Sequence, residues 1–570
     1  MKVLVSQQNY HIGNFASNVE KIGAVITEAK KSNVDLVVFS ELSVCGYPPR
    51  DFLEFNDFIK LVDEAIEHIA KMTKGIGVLI GSPTKNTFQK GKPLFNSAVL
   101  LHEGKIQGVV HKTLLPNYDV FDEYRYFEPS FTWNVIEFKG KKLAITICED
   151  IWNLGNNSLY RVCPMDELMK FNPDLMINIS ASPFDYDHDI DRKEVIRQNV
   201  RKYNLPMIYC NAVGAQTEIV FDGGSMVVDQ SGNIQHELNY FTEDAHVVET
   251  DVLYNQHPVV STDANLAMDT EMRVAKANDP DQIIKYLTNS NNIDQVKQAL
   301  ILGIQDYFSK MGFKKAILGS SGGIDSAVVL ALACEALGKE NVTAILMPSA
   351  YSTSHSVDDA RLLSDRLGNP YHILPIKEVY KSFIETLNPL FAGTPFGIAE
   401  ENIQSRSRGN LLMAVANKFG YVLLNTSNKS ELATGYGTLY GDMAGGLSVL
   451  GDLYKTQVYA LARYINKSKE IIPINIIEKE PSAELRPNQK DSDSLPDYDT
   501  LDRILYLYIE RRKGPFEIIA CGFDEALVKK TLRMVNANEY KRNQFCPIIR
   551  VSTKAFGVGR RVPIVAKYLS

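Results

Sequence analysis

Short runs of aliphatic and β-branched residues recur along this chain, each next to a stretch with helix-like spacing of apolar residues. KVLVSQ (2–7), DLVVFSEL (35–42), GVLIGS (77–82), KLAITICED (142–150), DLMINIS (174–180) and MIYCNAV (207–213) predict buried strands. Strands covered on both faces read as near-continuous apolar runs rather than as an alternation. Residues 15–31, 56–73 and 189–203 predict helices. Together these are the ingredients of a layered α/β domain. The pattern pauses over 255–300, where NQHPVVSTDANLAMDT and AKANDPDQ are polar and turn-rich. A helix resumes near Ile283. KKAILGSS (314–321), a helix from Asp325 to Leu337, NVTAILMPS (341–349), a helix over 356–367 and YHILPI (371–376) then predict a second α/β domain. It reads as doubly wound, with ligands at the C-terminal ends of parallel strands. The expected division is 1–260, a crossover at 261–285, and 286–570.

The 570 residues leave room for two to four domains at ~150 each. With 61 Lys and Arg against 68 Asp and Glu, the net charge of −7 offers no general footprint for nucleic acid. No apolar run approaches the ~18 residues of a membrane span. MKVLVSQQNY breaks its apolar run at Gln7, unlike a signal peptide. Seven scattered cysteines without a CxxC pair argue against a disulfide framework or a cysteine zinc site. The expectation is a cytoplasmic enzyme without membrane or nucleic-acid partners. The charged, Pro-containing segment 478–499 is either a disordered insert or an ordered lid.

Cys148 stands in ITICEDIW at the end of a predicted strand, followed by Glu149 and Asp150. A buried structural cysteine is the plain alternative, but an adjacent pair of carboxylates is costly to bury without partners. A nucleophile just past a strand end is well presented. Glu41 and Lys112 also follow predicted strands, and a buried carboxylate and ammonium are tolerable as a pair. The three divide the labour of a thiol hydrolase. Glu41 takes the thiol proton and returns it to a leaving amine, Lys112 stabilises an oxyanion, and Cys148 forms a thioester.

FSELSVCGYPPRD (39–51), HKTLLPNYDVFDEYRYF (111–127) and ICEDIW (147–152) resemble the three motifs of the nitrilase superfamily. More closely, they resemble the glutamine amidase domain of glutamine-dependent NAD synthetases. The resemblance implies an αββα sandwich with a Glu41–Lys112–Cys148 triad and Glu123 as a second glutamate beside it. It implies glutamine binding by Tyr118 and Glu149, and by Ser182 in SASP. Six residues on, where the family usually carries Lys or Arg, stands His188 as the remaining glutamine-binding candidate.

GSSGGIDS (319–326) lies between a predicted strand and an apolar helix. Small residues let backbone approach a ligand, and a helix start offers N–H groups to an anion. No GxxxxGK[ST] occurs, so this is not a Walker A loop. A carboxylate inside an anion-binding turn points to a bridging Mg²⁺. SGGIDS (321–326) resembles the loop of the ATP pyrophosphatases, the PP-loop enzymes, which adenylate a substrate oxygen and release pyrophosphate. The resemblance implies that Gly319, Ser320, Ser321, Gly322, Gly323, Ile324, Asp325 and Ser326 bind ATP.

MPSAYSTSHSVDDA (347–360), EENIQSRSRGNLL (400–412), NTSNKSELATGYGTLYGDMAGG (425–446), GDLYKTQVY (451–459) and PSAELRPNQKDSDSLPDYDTLD (481–502) look like NAD synthetase motifs. Arg406 and Arg408 can pair with phosphates. The resemblance implies ATP contacts at Thr426, Lys455 and Ser482. It implies Mg²⁺ at Asp325 and Glu431, with no prosthetic group. It implies deamido-NAD binding by Asn402, Arg406, Glu431, Asp442 and Lys541.

The two chemistries fit one another. An acyl adenylate needs neutral ammonia, and a glutaminase on the same chain supplies it, provided a passage joins the sites. The expected reaction converts deamido-NAD, ATP, glutamine and water into NAD, AMP, pyrophosphate and glutamate, in a homo-oligomer. Two other readings remain at this point. One is an amidotransferase on the same loop that makes GMP or asparagine. The other is an amidase or nitrilase whose second half only senses nucleotide. A tRNA-thiolating enzyme is weaker, because Cys334 stands alone in its helix.

Overall fold

The computed structural model describes all residues except 89, 156–158, 187, 255–278, 488 and 569–570. The chain divides into two compact units, Met1–Glu271 and Met272–Ser570. Most of the expected crossover at 261–285 lies outside the described residues.

The first unit contains two six-stranded sheets. In one, Lys2–Gln7 and Leu36–Val38 lie centrally, followed by Gly77–Lys85, Leu94–His102 and Lys105–His111. In the other, Leu175–Ser180 lies between Lys141–Ile147 and Met207–Asn211, parallel to both. Side-chain alternation along each strand builds the layers. Val3, Val5, Leu36, Val38 and Leu79 meet Leu143, Ile145, Ile147, Leu175, Ile177 and Ile179 in a common core between the sheets. Leu4, Val37, Val78 and Ile80 face the opposite way, onto Val19, Ile22 and Ile26 of helix Phe15–Lys31 and Val62, Ile66 and Ile69 of Asn56–Lys71. On the far side, Met176, Met207 and Tyr209 pack on Ile196 and Val200 of helix His188–Tyr203. Helix, sheet, sheet and helix form the αββα sandwich.

Several predicted strands end early, and two of them bear on the candidate site. The run at 35–42 is a strand only over Leu36–Val38. Beyond it the chain leaves the ladder and crosses Gly81, where a Cβ would come within 2.3 Å of the Leu42 nitrogen. The run at 142–150 stops at Ile147 and gives way to a single 3₁₀ turn, Cys148–Ile151. Both departures carry a candidate site residue off a strand end.

The second unit contains a five-stranded sheet in the order Tyr371–Ile373, Val342–Leu346, Ala316–Gly319, Val422–Asn425, Leu447–Ser448. All neighbouring pairs are parallel. Chain order runs outward in opposite directions from Ala316–Gly319, so the switch point lies between that strand and Val422–Asn425. In open α/β sheets this is where a crevice forms at the C-terminal strand ends. Residues 319–326 follow one of these two strands and Thr426 follows the other.

Candidate active sites

In the first unit, Glu41 lies three residues beyond Leu36–Val38 and Lys112 directly follows Lys105–His111. The Lys112 side chain is fully buried, and its ammonium donates to Glu41 Oε1 and to Glu123 Oε1, each at 2.8 Å. Asn96 Nδ2 donates to Glu41 Oε1 at 2.7 Å and to Glu123 Oε2 at 3.3 Å. The Ala181 N–H reaches Glu41 Oε2 at 2.9 Å, and the Tyr47 hydroxyl donates to Glu123 Oε1 at 2.9 Å. Burial works against the Lys112 ammonium, but Glu123 and Glu41 outweigh it and hold its pKa well above the usual range. Burial lifts Glu123 to about 7, with Lys112 opposing and Glu41 adding to the rise.

Cys148 is buried and has a left-handed backbone, φ 45°. Asp150 secures this turn. Its Oδ2 accepts from the Ile147 N–H at 3.1 Å, and its Oδ1 accepts from the Thr113 and Leu114 N–H groups at 3.1 and 2.8 Å. One carboxylate therefore ties the turn of Cys148 to the loop just beyond Lys112. Burial pushes the Cys148 thiol well up, with Glu41 adding to the rise and Lys112 opposing it. At neutral pH the sulfur is thus a thiol and needs a base to act as a nucleophile. Beside it, the buried Glu149 accepts from the Tyr118 hydroxyl at 3.1 and 3.0 Å and from the Tyr160 hydroxyl at 2.6 Å. The Ser182 hydroxyl and His188 Nε2 are 2.7 Å apart, and the His188 ring stacks on Trp152.

In the second unit, residues 319–326 wrap one end of a cavity. Gly322 has φ +80°, and a Cβ there would lie 2.2 Å from the Ser356 carbonyl oxygen. Only glycine fits both the conformation and the contact. Helix Ile324–Leu337 begins within the loop, and the buried Ser320 hydroxyl has no hydrogen-bond partner. Thr426, Glu431, Asp442, Lys455 and Ser482 also line this cavity, as do Arg408 and residues 479–485. The charged segment at 478–499 is therefore a wall of the cavity where it is described.

Asn402, Arg406 and Lys541 lie elsewhere, around the turn at 435–442. Asn402 Oδ1 accepts from the Thr438 hydroxyl at 2.8 Å, and Arg406 Nε donates to the Leu439 carbonyl at 3.2 Å. Lys541 donates to the Gly435 and Gly437 carbonyls at 2.8 Å. Asp442 links this turn to the cavity, since it lines the latter and accepts from the Thr438 N–H at 2.6 Å.

Two carboxylates converge on one cation here. Lys455 Nζ is 2.5 Å from Asp325 Oδ2 and 3.7 Å from Glu431 Oε1, and Asn428 Nδ2 donates to Asp325 Oδ1 at 3.0 Å. Mg²⁺ is commonly held by one or two carboxylates together with substrate phosphates, and Asp325 and Glu431 fit that donor set. Among the described residues, no cluster of three or more His, Cys, Asp or Glu forms an all-protein metal site.

Asn96 and Tyr160 join these sites without a motif to announce them, whereas Tyr47 and Asn428 lie within FSELSVCGYPPRD and NTSNKSELATGYGTLYGDMAGG, whose resemblance assigns them no role. Asn96 left one trace in the sequence, as an amide inside the mostly apolar LFNSAVLL. Tyr160 left none.

Residues 2–256 match the carbon–nitrogen hydrolase family and residues 296–545 the NAD synthase family. The glutamine-dependent NAD(+) synthetase of Synechocystis sp. is 43% identical over 573 residues, covering 99% of each chain. That of Thermotoga maritima is 40% identical over 579 residues, covering 100% of this chain and 99% of its own. The chain belongs to the glutamine-dependent NAD(+) synthetases. A solved glutamine-dependent NAD(+) synthetase, that of Acinetobacter baumannii in complex with adenosine diphosphate, superposes with a TM-score of 0.74 at 37% identity. The match covers 99% of this chain and 98% of that one. Among the described residues, no helix of this synthetase family member is long and apolar enough to cross a membrane.

Proposed function

We propose that the chain makes NAD from deamido-NAD, ATP and glutamine, with Cys148 as the glutaminase nucleophile and the loop at 319–326 as the ATP pyrophosphatase site. The observation that carries the first half is the Lys112 ammonium bonded to both Glu41 and Glu123, beside a thiol on a strained turn. Glu41 takes the Cys148 proton, and the thiolate attacks the glutamine amide carbon. Lys112 faces the oxyanion. Glu41 returns the proton as ammonia leaves, and water then releases glutamate from the thioester. Tyr118, Glu149, Ser182 and His188 hold the glutamine.

In the second site the nicotinate carboxylate of deamido-NAD attacks the α-phosphorus of ATP, and pyrophosphate departs towards the glycines. Ammonia attacks the acyl carbon and AMP leaves. Lys455 neutralises charge on the phosphates, and Mg²⁺ bound with ATP would supply further neutralisation there. Asp325 and Glu431 are the residues that would hold it. Asn402, Arg406, Asp442 and Lys541 surround the turn that receives the dinucleotide. Ammonia passes between the sites without mixing with solvent. Labelled external ammonium that competed freely with glutamine nitrogen would count against that transfer.

Two variants test the division. Cys148→Ala is expected to abolish glutamine-driven synthesis and to leave ammonia-driven synthesis largely intact. Asp325→Ala is expected to damage both. Glutamine use that survived in Cys148→Ala would overturn the assignment of the first site.

A further inference from the structure

We infer that Asn96 is a positioning residue of the glutaminase site, one amide that holds Glu41 and Glu123 as hydrogen-bond acceptors and so helps set the pH dependence of glutamine hydrolysis. The inference rests on the reading of the Cys148 site given above.

Asn96 lies in strand Leu94–His102 and is 1% exposed. Its Nδ2 faces two carboxylates, Glu41 Oε1 at 2.7 Å and Glu123 Oε2 at 3.3 Å. An amide NH₂ has two hydrogens and no acceptor role, so the oxygens it faces must present lone pairs. Turning the amide over would aim its carbonyl oxygen at both carboxylates. The orientation is therefore decided, even though it leaves Oδ1 buried without a partner. Leaving that acceptor unmade costs free energy, and the two donated bonds are what the arrangement keeps.

The charge count shows why they matter. Lys112 supplies one positive charge to two buried carboxylates. Two carboxylates sharing a site hold a proton between them unless enough donors face them. The other donors are the Tyr47 hydroxyl on Glu123 and the Ala181 N–H on Glu41. Cys148, Glu149, Asp150, Tyr47 and Tyr160 are further ionisable groups around the cluster, and each adds negative charge when ionised. Glu123 already stands at about 7. Without the Asn96 donors one fewer group favours the ionised carboxylates, and only an ionised carboxylate can take a thiol proton. The Asn96 carbonyl also accepts the Lys112 N–H at 2.8 Å, a backbone contact that substitution leaves in place.

The experiment is the pH profile of kcat/KM for glutamine-driven NAD formation in the full chain, with ammonia-driven synthesis as the control. Asn96→Leu removes both donors, and the acidic limb is expected to rise by about one pH unit or more, with ammonia-driven synthesis unchanged. Asn96→Asp keeps the shape and adds a third carboxylate, so its limb is expected to rise further. If Asn96→Leu fails to fold, as loss of ammonia-driven synthesis would show, the isosteric Asp variant decides. An acidic limb that stays in place, whether activity is normal or uniformly reduced, overturns the inference. Cys148→Ala separates the two layers. Glutamine use that survives in it defeats the site reading and this inference together. A dead Cys148→Ala with an unmoved limb in the Asn96 variants defeats the inference alone.

Discussion

The Lys455 ammonium lies 2.5 Å from the Asp325 carboxylate across 130 residues of chain, joining the start of helix Lys455–Ile465 to the loop that ends in helix Ile324–Leu337. Lys455 is 3% exposed. Burial works against its charge, but Asp325 and Glu431 outweigh it and hold its pKa well up. It is therefore a permanent cation in the cavity lined by the glycine loop.

Lys455→Met removes that cation and leaves two carboxylates facing each other. Losing one preorganised charge at a developing anion costs about 10²–10³ in rate. Synthesis is expected to fall by that order with either nitrogen source, while glutamine hydrolysis measured alone persists. Normal ammonia-driven turnover in the variant would remove Lys455 from the phosphate chemistry.

Glu431 makes stability depend on pH. Its carboxyl is raised from 4.5 to about 8 by burial, with Asp325 adding to the rise. The folded state thus holds a proton that the unfolded chain releases, so this contribution is fully present below 4.5 and is lost as pH climbs through about 8. Glu431→Gln stays neutral throughout. Relative to the parent, its thermal midpoint is expected to improve steadily as pH rises across that window. A constant difference between the two would show that the residue does not titrate there.

Tyr160 tests the glutamine pocket. Its hydroxyl donates to the buried Glu149 at 2.6 Å. Removing one hydrogen bond from a charged buried group costs roughly 1.5–3 kcal/mol. Tyr160→Phe is expected to raise the glutamine KM by about tenfold or more and to leave the KM for ammonia in the synthetase reaction unchanged. Steady-state kinetics with each nitrogen source reads the difference.

Glu484 fastens the segment at 478–499. It accepts from the Ser356 hydroxyl at 2.7 Å, the Lys479 ammonium at 2.6 Å and the Thr353 N–H at 3.3 Å. That places a carboxylate at the N-terminus of helix Ser354–Leu367, where the dipole favours it. Glu484→Ala is expected to speed limited proteolysis within 478–499 and to raise the KM for ATP. Unchanged cleavage would mean that other contacts hold the wall.

Lys429 is fully buried between Asp452 and Glu510, each at 2.9 Å, and donates to the Ser552 hydroxyl at 2.8 Å. Removing one partner of such a cluster costs about 3–5 kcal/mol because the remaining charges stay buried. Lys429→Met is expected to show that loss in thermal or urea unfolding. The helix it begins, Lys429–Thr434, carries Glu431, so synthetase activity is expected to fall with it.

Much of both units was legible from local pattern. The strands at 2–7, 174–180 and 342–346 are apolar because both faces are covered, and a residue's own neighbours in sequence report that. The glycine loop was legible for the same reason, since a turn between strand and helix is a local event. The early end of the strand at 35–42 was not, because residues 40–42 pass against Gly81, a residue far along the chain that leaves room for them.

The sequence by itself determined the layered α/β class, the strand-end placement of Glu41, Lys112 and Cys148, and the small-residue loop before the helix at 324. Which charges face one another is settled by the three-dimensional fold alone. Asn96, Glu123 and Lys112 come from separate strands and loops, and whether an ammonium faces one carboxylate or two depends on how the sheet aligns them. Electrostatic energy follows distance through space and the exclusion of water, and neither is written in the order of residues.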